Sequence, residues 1–291
     1  MSDRNVGLAT VRAWRASGIF ADFAISRGQL LAAILAISSV NGMASRAIFS
    51  VALLGWSDAI TDTFDISVIV WGAWASACYL AFQQKGAERA SKLDIVLAGL
   101  ALAAVALPVP RFSWLTLCAF SVYVFWTSQA HTSLRRSAVI FFAICVPMLW
   151  GPMLFDFVAP PLLKIDAFLV SALAGTNRVG NVVDAVDGAH RIQIWPGCSS
   201  FHNISQAALA WVALSQTLGR DLGFRDLLWC GLAVASAAIV NLGRLSLMAI
   251  SFDKFDTIHG QIGSQIAGGL TLILIVIICM VGQRRELFTR R

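Results

Sequence analysis

Eight mostly apolar stretches, each bounded by charge or proline, constrain this chain more than any other feature. They run from about Leu30 to Leu54, Ile66 to Phe82, Leu93 to Leu107, Phe112 to Ala130, Ala138 to Phe155, Phe201 to Leu218, Leu227 to Ile250 and Ile262 to Val281. A helix of about 20 residues crosses a hydrocarbon core of about 30 Å, and inside lipid a helix satisfies its own backbone groups. The first stretch is interrupted by Asn41 and Arg46 and the third is short. With 58% apolar residues, 13% charged residues and a mean hydropathy of +0.74, the chain lies outside the soluble balance of roughly 25% charged residues. The expected fold is an all-α integral membrane protein of about eight spans. A segment 1–29 precedes a single polytopic domain over 30–291.

The net charge of +6 does not point to nucleic acid, because the basic residues form short clusters between apolar runs rather than one stripe. They read as topology signals. With eight spans and a cytoplasmic N-terminus, the interior segments (1–29, 83–94, 131–137, 219–226 and 282–291) hold 15 of the 22 Lys and Arg. Exterior segments hold Arg111, Lys164, Arg178, Arg191 and Lys254, while Arg46 and Arg244 fall within spans. Nine acidic residues fall outside and seven inside. The positive-inside rule then places both termini in the cytoplasm. Residues 1–29 carry four arginines and lack a signal-peptide layout, so they are expected to be retained.

The stretch from Ala159 to Gly175 holds Pro160, Pro161, Lys164 and Asp166 and is expected to lie at the interface or re-enter. A ninth span there would put Arg220, Arg225 and the C-terminal arginines outside. The hydrophilic piece from Thr176 to Gly197 alternates around Arg191–Trp195 after Asp187-Gly188, the pattern of a short exterior hairpin before span six.

Five cysteines, Cys78, Cys118, Cys145, Cys230 and Cys279, sit inside apolar runs, where a thiol behaves as a small hydrophobe. Cys198 differs, since it follows Trp195-Pro196-Gly197, precedes Ser199-Ser200 and is expected to open a span at its exterior end. There unpaired N–H groups favour a thiolate. Asn241, one turn before Arg244 and on the same face, is expected to orient its guanidinium, and Arg244 itself ends the seventh span. It either snorkels or faces a polar cavity. His259 stands before the last span with Gly260 and Gly263 after it, either as a solvated capping residue or as a proton shuttle. The topology brings Cys198, Arg244 and His259 to one membrane face: a nucleophile, a fixed cationic donor for an oxyanion, and a general acid/base.

Alternatives attach to neighbouring residues. His202, four positions after Cys198, is a second candidate base. Cys198, His202 and His259 have the donor types for zinc, but no closely spaced pairs form a metal pattern. His131 and His190 read as solvated loop residues, Arg46, Asn41 and Asp58 as cavity-lining candidates, and Gly268-Gly269 as a close-packing site. Polar residues near mid-membrane would also suit a small transporter or channel, and a non-enzymatic scaffold for envelope or exopolysaccharide assembly is a third class.

The chain resembles the exosortase/archaeosortase family of membrane-embedded cysteine transpeptidases. The likeness rests on Pro196-Gly197-Cys198-Ser199-Ser200, on Asn241-Leu242-Gly243-Arg244, and on His259 with Gly263 four residues later. Ser200 stands where that family often has glycine. The resemblance implies catalytic elements within about 190–265, supported by Asn241, Ser199, Ser200 and His202, in an inner-membrane protein whose site faces the exterior. It implies a partner, an exported protein carrying a C-terminal sorting signal of recognition motif, transmembrane helix and basic tail. It also implies a reaction: Cys198 forms a thioester, Arg244 stabilises the oxyanion and His259 protonates the leaving amine. No metal or organic cofactor is required. Soluble sortases use the same three residue types on an unrelated fold.

Overall fold

The computed structural model describes residues 26–84, 88–220 and 223–287, so most of the expected cytoplasmic segment 1–29 and the last four residues lie outside it. Helices dominate: α1 (Arg27–Thr61), α2 (Val68–Phe82), α3 (Lys92–Val105), α4 (Pro110–Thr127), α5 (Ser133–Cys145), α6 (Gly151–Ala174), α7 (Ser200–Thr217), α8 (Phe224–Ile250), the short α9 (Phe255–His259) and α10 (Gln261–Leu287). Arg27–Thr61, Ser133–Phe155, Phe157–Ala174, Phe224–Ile250 and Ile262–Gly282 are long and apolar enough to cross a membrane. This is the composition of an all-α membrane protein. Large apolar side chains such as Ile48, Phe49, Leu53, Leu100, Ile239 and Ile266 face outward, far more than a soluble surface tolerates.

Local chemistry sets the helix ends. Ser26 and Gln29 form a reciprocal capping box at the start of α1, and Ser91 with Asp94 does the same for α3, satisfying N–H groups that the first helical turn leaves open. Asp94 is buried and also takes Arg27 Nε at 3.1 Å and Tyr123 OH at 2.7 Å, which ties α1, α3 and α4 together at one end. Gly55, with φ of 81°, breaks α1 directly after Leu54, because only glycine adopts that backbone without penalty. Asn41 is not a break: its Nδ2 donates to Val105 O and to Ser113 Oγ, so neighbouring helices satisfy it.

Three apolar clusters hold the helices. The largest joins α1, α2, α4 and α5 through residues including Leu31, Leu35, Val70, Leu117, Phe141 and Ile144. Small residues set the close approaches: Gly42 lies against the ring of Trp114, and Ser137 Oγ donates to Ala77 O at 2.7 Å. A second cluster centres on Ala207, Trp211, Ala233, Ala237 and Ile275, between α7, α8 and α10. The third packs Leu163, Ala167 and Val170 of α6 against Val183, Ile192 and Ile194 of the segment between α6 and α7 and against Leu245 and Met248 of α8. The five cysteines outside the site are free and fully or half buried.

Three expectations change. Of the two alternatives for 159–175, the structure shows no broken re-entrant loop: 159–174 belong to a continuous helix that carries Pro160 and Pro161 inside it and ends at a left-handed Gly175. Proline removes one helical hydrogen bond each time, and here the flanking turns and the packing of Leu163, Ala167 and Val170 carry the helix through. The hairpin is a three-stranded antiparallel sheet, β1 (Arg178–Val179), β2 (Val182–Asp184) and β3 (Arg191–Gln193), in the order β1-β2-β3. Its first turn uses Gly180 at φ 64° and its second uses Gly188 at φ 69°. Finally, Gly268 and Gly269 have open space where a Cβ would stand, so no element among the described residues packs closely on them.

Candidate active site

Cys198 does not open the helix. It closes a 3-10 turn over Pro196–Cys198, its N–H donating to Trp195 O at 2.9 Å. Proline at 196 fixes φ for that turn, and Ser199 then caps α7 by accepting from Phe201 N at 3.2 Å. The thiol thus stands one residue outside the capped helix start, and the helix-end argument for its activation falls away.

What occupies the helix start is a carboxylate that sequence reasoning passed over. Asp166 of α6 is buried, and its Oδ2 accepts from Ser200 N and from Ser199 Oγ, both at 3.0 Å. A carboxylate at this position satisfies an orphan N–H and complements the helix dipole. The signal was present, since an ionisable residue inside an apolar stretch marks a working position by default. In sequence, however, its charge argues only against a span.

Asn241, buried on α8, donates from Nδ2 to Cys198 O at 2.9 Å and to Ser200 Oγ at 3.2 Å. It anchors the Cys198 backbone, whereas the partner expected from its spacing is Arg244 on the same face. Deleting this amide leaves the Cys198 carbonyl short of a donor, at about 1–3 kcal/mol. Asn241→Ala is expected to lower turnover by up to about 10²-fold through misplacement of Cys198. Comparing turnover with the abundance of folded protein in membranes separates this from a folding defect.

His259 comes to the thiol from the other side. Its Nε2 lies 3.9 Å from Cys198 Sγ, a long contact of the kind that tightens when substrate binds. Arg244 reaches the same loop: Nε donates to Ile258 O at 3.1 Å and Nη2 to His259 O at 2.9 Å. Nη1 has no partner among the described residues. Gly260 and Gly263 make the loop possible, because a Cβ on Gly263 would collide with Ile258 O and one on Gly260 with Asp256 O.

The imidazole is also stacked. Phe255 lies 5.2 Å from it with planes 9° apart, Phe252 lies 5.3 Å beyond Phe255, and His190 of the β2–β3 turn lies 3.9 Å beyond Phe252. His190 Nδ1 meets Asp187 Oδ2 at 2.6 Å, and this hydrogen bond holds the exposed Asp187 carboxyl below the ordinary carboxylate range. A ring contact of this type contributes about 0.5–1.5 kcal/mol. Phe255→Leu, which removes the ring and keeps the bulk, is therefore expected to lower kcat up to about tenfold with KM unchanged, measured by steady-state kinetics.

His202, the second candidate base, meets Gln206 rather than the Cys198 thiol among the contacts of the described residues. Gln206 Nε2 donates to its Nε2 at 2.6 Å, and Gln206 in turn accepts from Ser67 Oγ at 2.7 Å. His202 instead lines a cavity of about 580 Å³ together with Arg46, Asp62 and Asp65. Pro196 and Phe201, on either side of Cys198 in sequence, form part of its wall. Arg46 Nη1 lies 3.8 Å from Asp65 Oδ2. Among the described residues no three His, Cys, Asp or Glu side chains converge to hold a metal ion.

The geometry brings Cys198, His259 and Arg244 to one place, with Ser199, Ser200 and Asn241 as its backbone support, and leaves His202 in the neighbouring cavity. Comparison with family models, with curated proteins and with solved structures found no match for this chain.

Proposed function

We propose that this chain is a membrane-embedded cysteine transpeptidase of the exosortase type. It cleaves the C-terminal sorting signals of exported proteins at the exterior face of the inner membrane. The carrying observation is the 3.9 Å approach of Cys198 Sγ to His259 Nε2 on a loop clamped by Arg244.

In this reading His259 takes the thiol proton as Cys198 Sγ attacks the scissile carbonyl carbon. Arg244 Nη1 donates to the resulting oxyanion while its other two nitrogens keep the base in place. When the tetrahedral species collapses, the C–N bond breaks, the protonated imidazole gives its proton to the leaving amine, and a thioester remains on Cys198. Attack by an acceptor amine or by water releases the product and returns the thiol. A substrate helix in the same bilayer is already confined to the right depth, which raises its effective concentration.

Eight spans with both termini cytoplasmic fit this scheme. α6 is then a surface element, a reading supported by the meeting of Asp166 near its middle with the first residue of α7, and by the sheet packed on Leu163, Ala167 and Val170. The cavity beside Pro196 and Phe201 suits the acceptor or the recognition motif. The same cavity, with Arg46 and His202, is what favours a transporter as the second reading.

The test is trapping. Purified protein is mixed with membrane extracts containing exported proteins that carry a motif, a helix and a basic tail, then quenched in acid for intact-mass analysis. A hydroxylamine-sensitive acyl adduct on Cys198 is expected. Absence of an adduct with such substrates, together with solute flux into proteoliposomes that persists in Cys198→Ala, would favour the transporter.

A further inference from the structure

We propose that the end of the bundle opposite Cys198 binds an anionic phospholipid, with its phosphate among arginines of α5 and its acyl chain in an adjoining apolar groove. The site does not depend on the catalytic reading.

Cys198 precedes the first residue of α7, and the basic cavity lies at that helix's other end, some 18 residues on, or about 27 Å along the axis. The cavity measures about 720 Å³, and its wall includes Arg135, Arg136, Arg220, Gln216 and Gly219, with no carboxylate among the described residues that line it. Arg220 is engaged elsewhere, its Nη2 lying 3.2 Å from Asp226 Oδ1 and its Nη1 donating to Gly282 O at 3.3 Å. Arg135 and Arg136 meet no carboxylate among the described residues. Arg135 instead lies over the ring of Phe125 at 4.2 Å. Arg136 Nη1 donates to Gln216 O at 3.1 Å, and its Nε is buried with no acceptor. Gly219, at φ 73°, leaves the space that Arg136 Nη1 fills. Two guanidinium groups in a cavity wall, one with a buried N–H still unpaired, call for an anion with several acceptor oxygens.

The neighbouring groove says which anion. A second depression of about 240 Å³ runs between α4 and α5, lined by Ser121, Val122, Trp126, Ala138 and Phe142, and it shares Phe125 and Val139 with the basic cavity. Its wall is almost wholly apolar. Trp126 beside it is 77% exposed, as the interfacial aromatics of membrane proteins are. A free phosphate would use the cavity and leave the groove without a role, whereas a phospholipid uses both. Basic pockets between membrane helices bind anionic headgroups in this way. In the proposed topology the site faces the cytoplasmic leaflet.

The test uses the full-length protein, delipidated in a maltoside detergent and titrated separately with palmitoyl-oleoyl phosphatidylglycerol, the matching phosphatidylcholine, and inorganic phosphate, with native mass spectrometry as readout. Phosphatidylglycerol is expected to bind about tenfold or more tighter than phosphatidylcholine. Arg135→Gln/Arg136→Gln is expected to abolish that preference, and Val139→Trp, which fills the groove, to weaken phosphatidylglycerol without creating a preference for phosphatidylcholine. Arg135→Gln alone, whose side chain supports no backbone group, provides a variant that keeps the α7 end intact and should lose part of the preference. Equal binding of the two lipids, or a preference untouched by the arginine variants in folded protein, overturns the proposal. So does inorganic phosphate displacing phosphatidylglycerol at equal concentration.

Discussion

Cys198→Ala is expected to lose all acyl-adduct formation and to lower cleavage of a sorting-signal substrate by about 10³-fold or more, since the proposed mechanism builds its thioester on this thiol. In cells carrying this variant, full-length substrate should accumulate in the membrane. The substitution is gentle structurally. Cys198 is half-buried, its backbone bonds to Trp195 O and Asn241 are independent of the thiol, and alanine keeps both. Abundance and melting temperature should therefore remain near those of the parent. Adduct formation that survives in Cys198→Ala would move the nucleophile elsewhere and dismantle the mechanism.

Gly263→Ala should come next in size although it touches no reacting group. The added methyl would overlap the carbonyl oxygen, carbonyl carbon and Cα of Ile258, and backbone cannot swing aside as a flexible side chain can. That carbonyl accepts from Arg244 Nε. Relief of the clash must shift the turn that carries His259, and overpacking of this kind costs about 1–3 kcal/mol. A displacement of about 1 Å in a catalytic group lowers turnover about 10²-fold. Gly268→Ala, five residues further along the same helix, is the control. Open space surrounds it, and the helix itself gains up to about 1 kcal/mol from the change. Turnover and thermal stability of the two variants, compared side by side, decide the matter; equal turnover would remove Gly263 from the loop's architecture.

The helices were legible because hydropathy acts over whole segments. Leu30–Leu54 ends where Gly55 breaks α1, and Phe201–Leu218 and Leu227–Ile250 fall within a few residues of α7 and α8. The meeting of Cys198 with His259 was legible too, through the order of charges that placed both at one end of the chain's helices. Asp166 was not, because its partners Ser199 and Ser200 lie 33 and 34 residues away and no periodicity links them. Asn241 was assigned to Arg244 by helical spacing, yet spacing says only which face a residue occupies, and the partner on the adjoining element decided the bond. The strand β1 escaped because two residues cannot display alternation.

The stacked rings between the sheet and the thiol have a mechanical meaning. His190 rides on the turn of a small sheet, and three ring contacts later the pile ends at the imidazole beside Cys198. Each ring contact contributes about 0.5–1.5 kcal/mol, so displacing the turn that carries His190 costs contact along the pile and loosens the seat of the His259 imidazole.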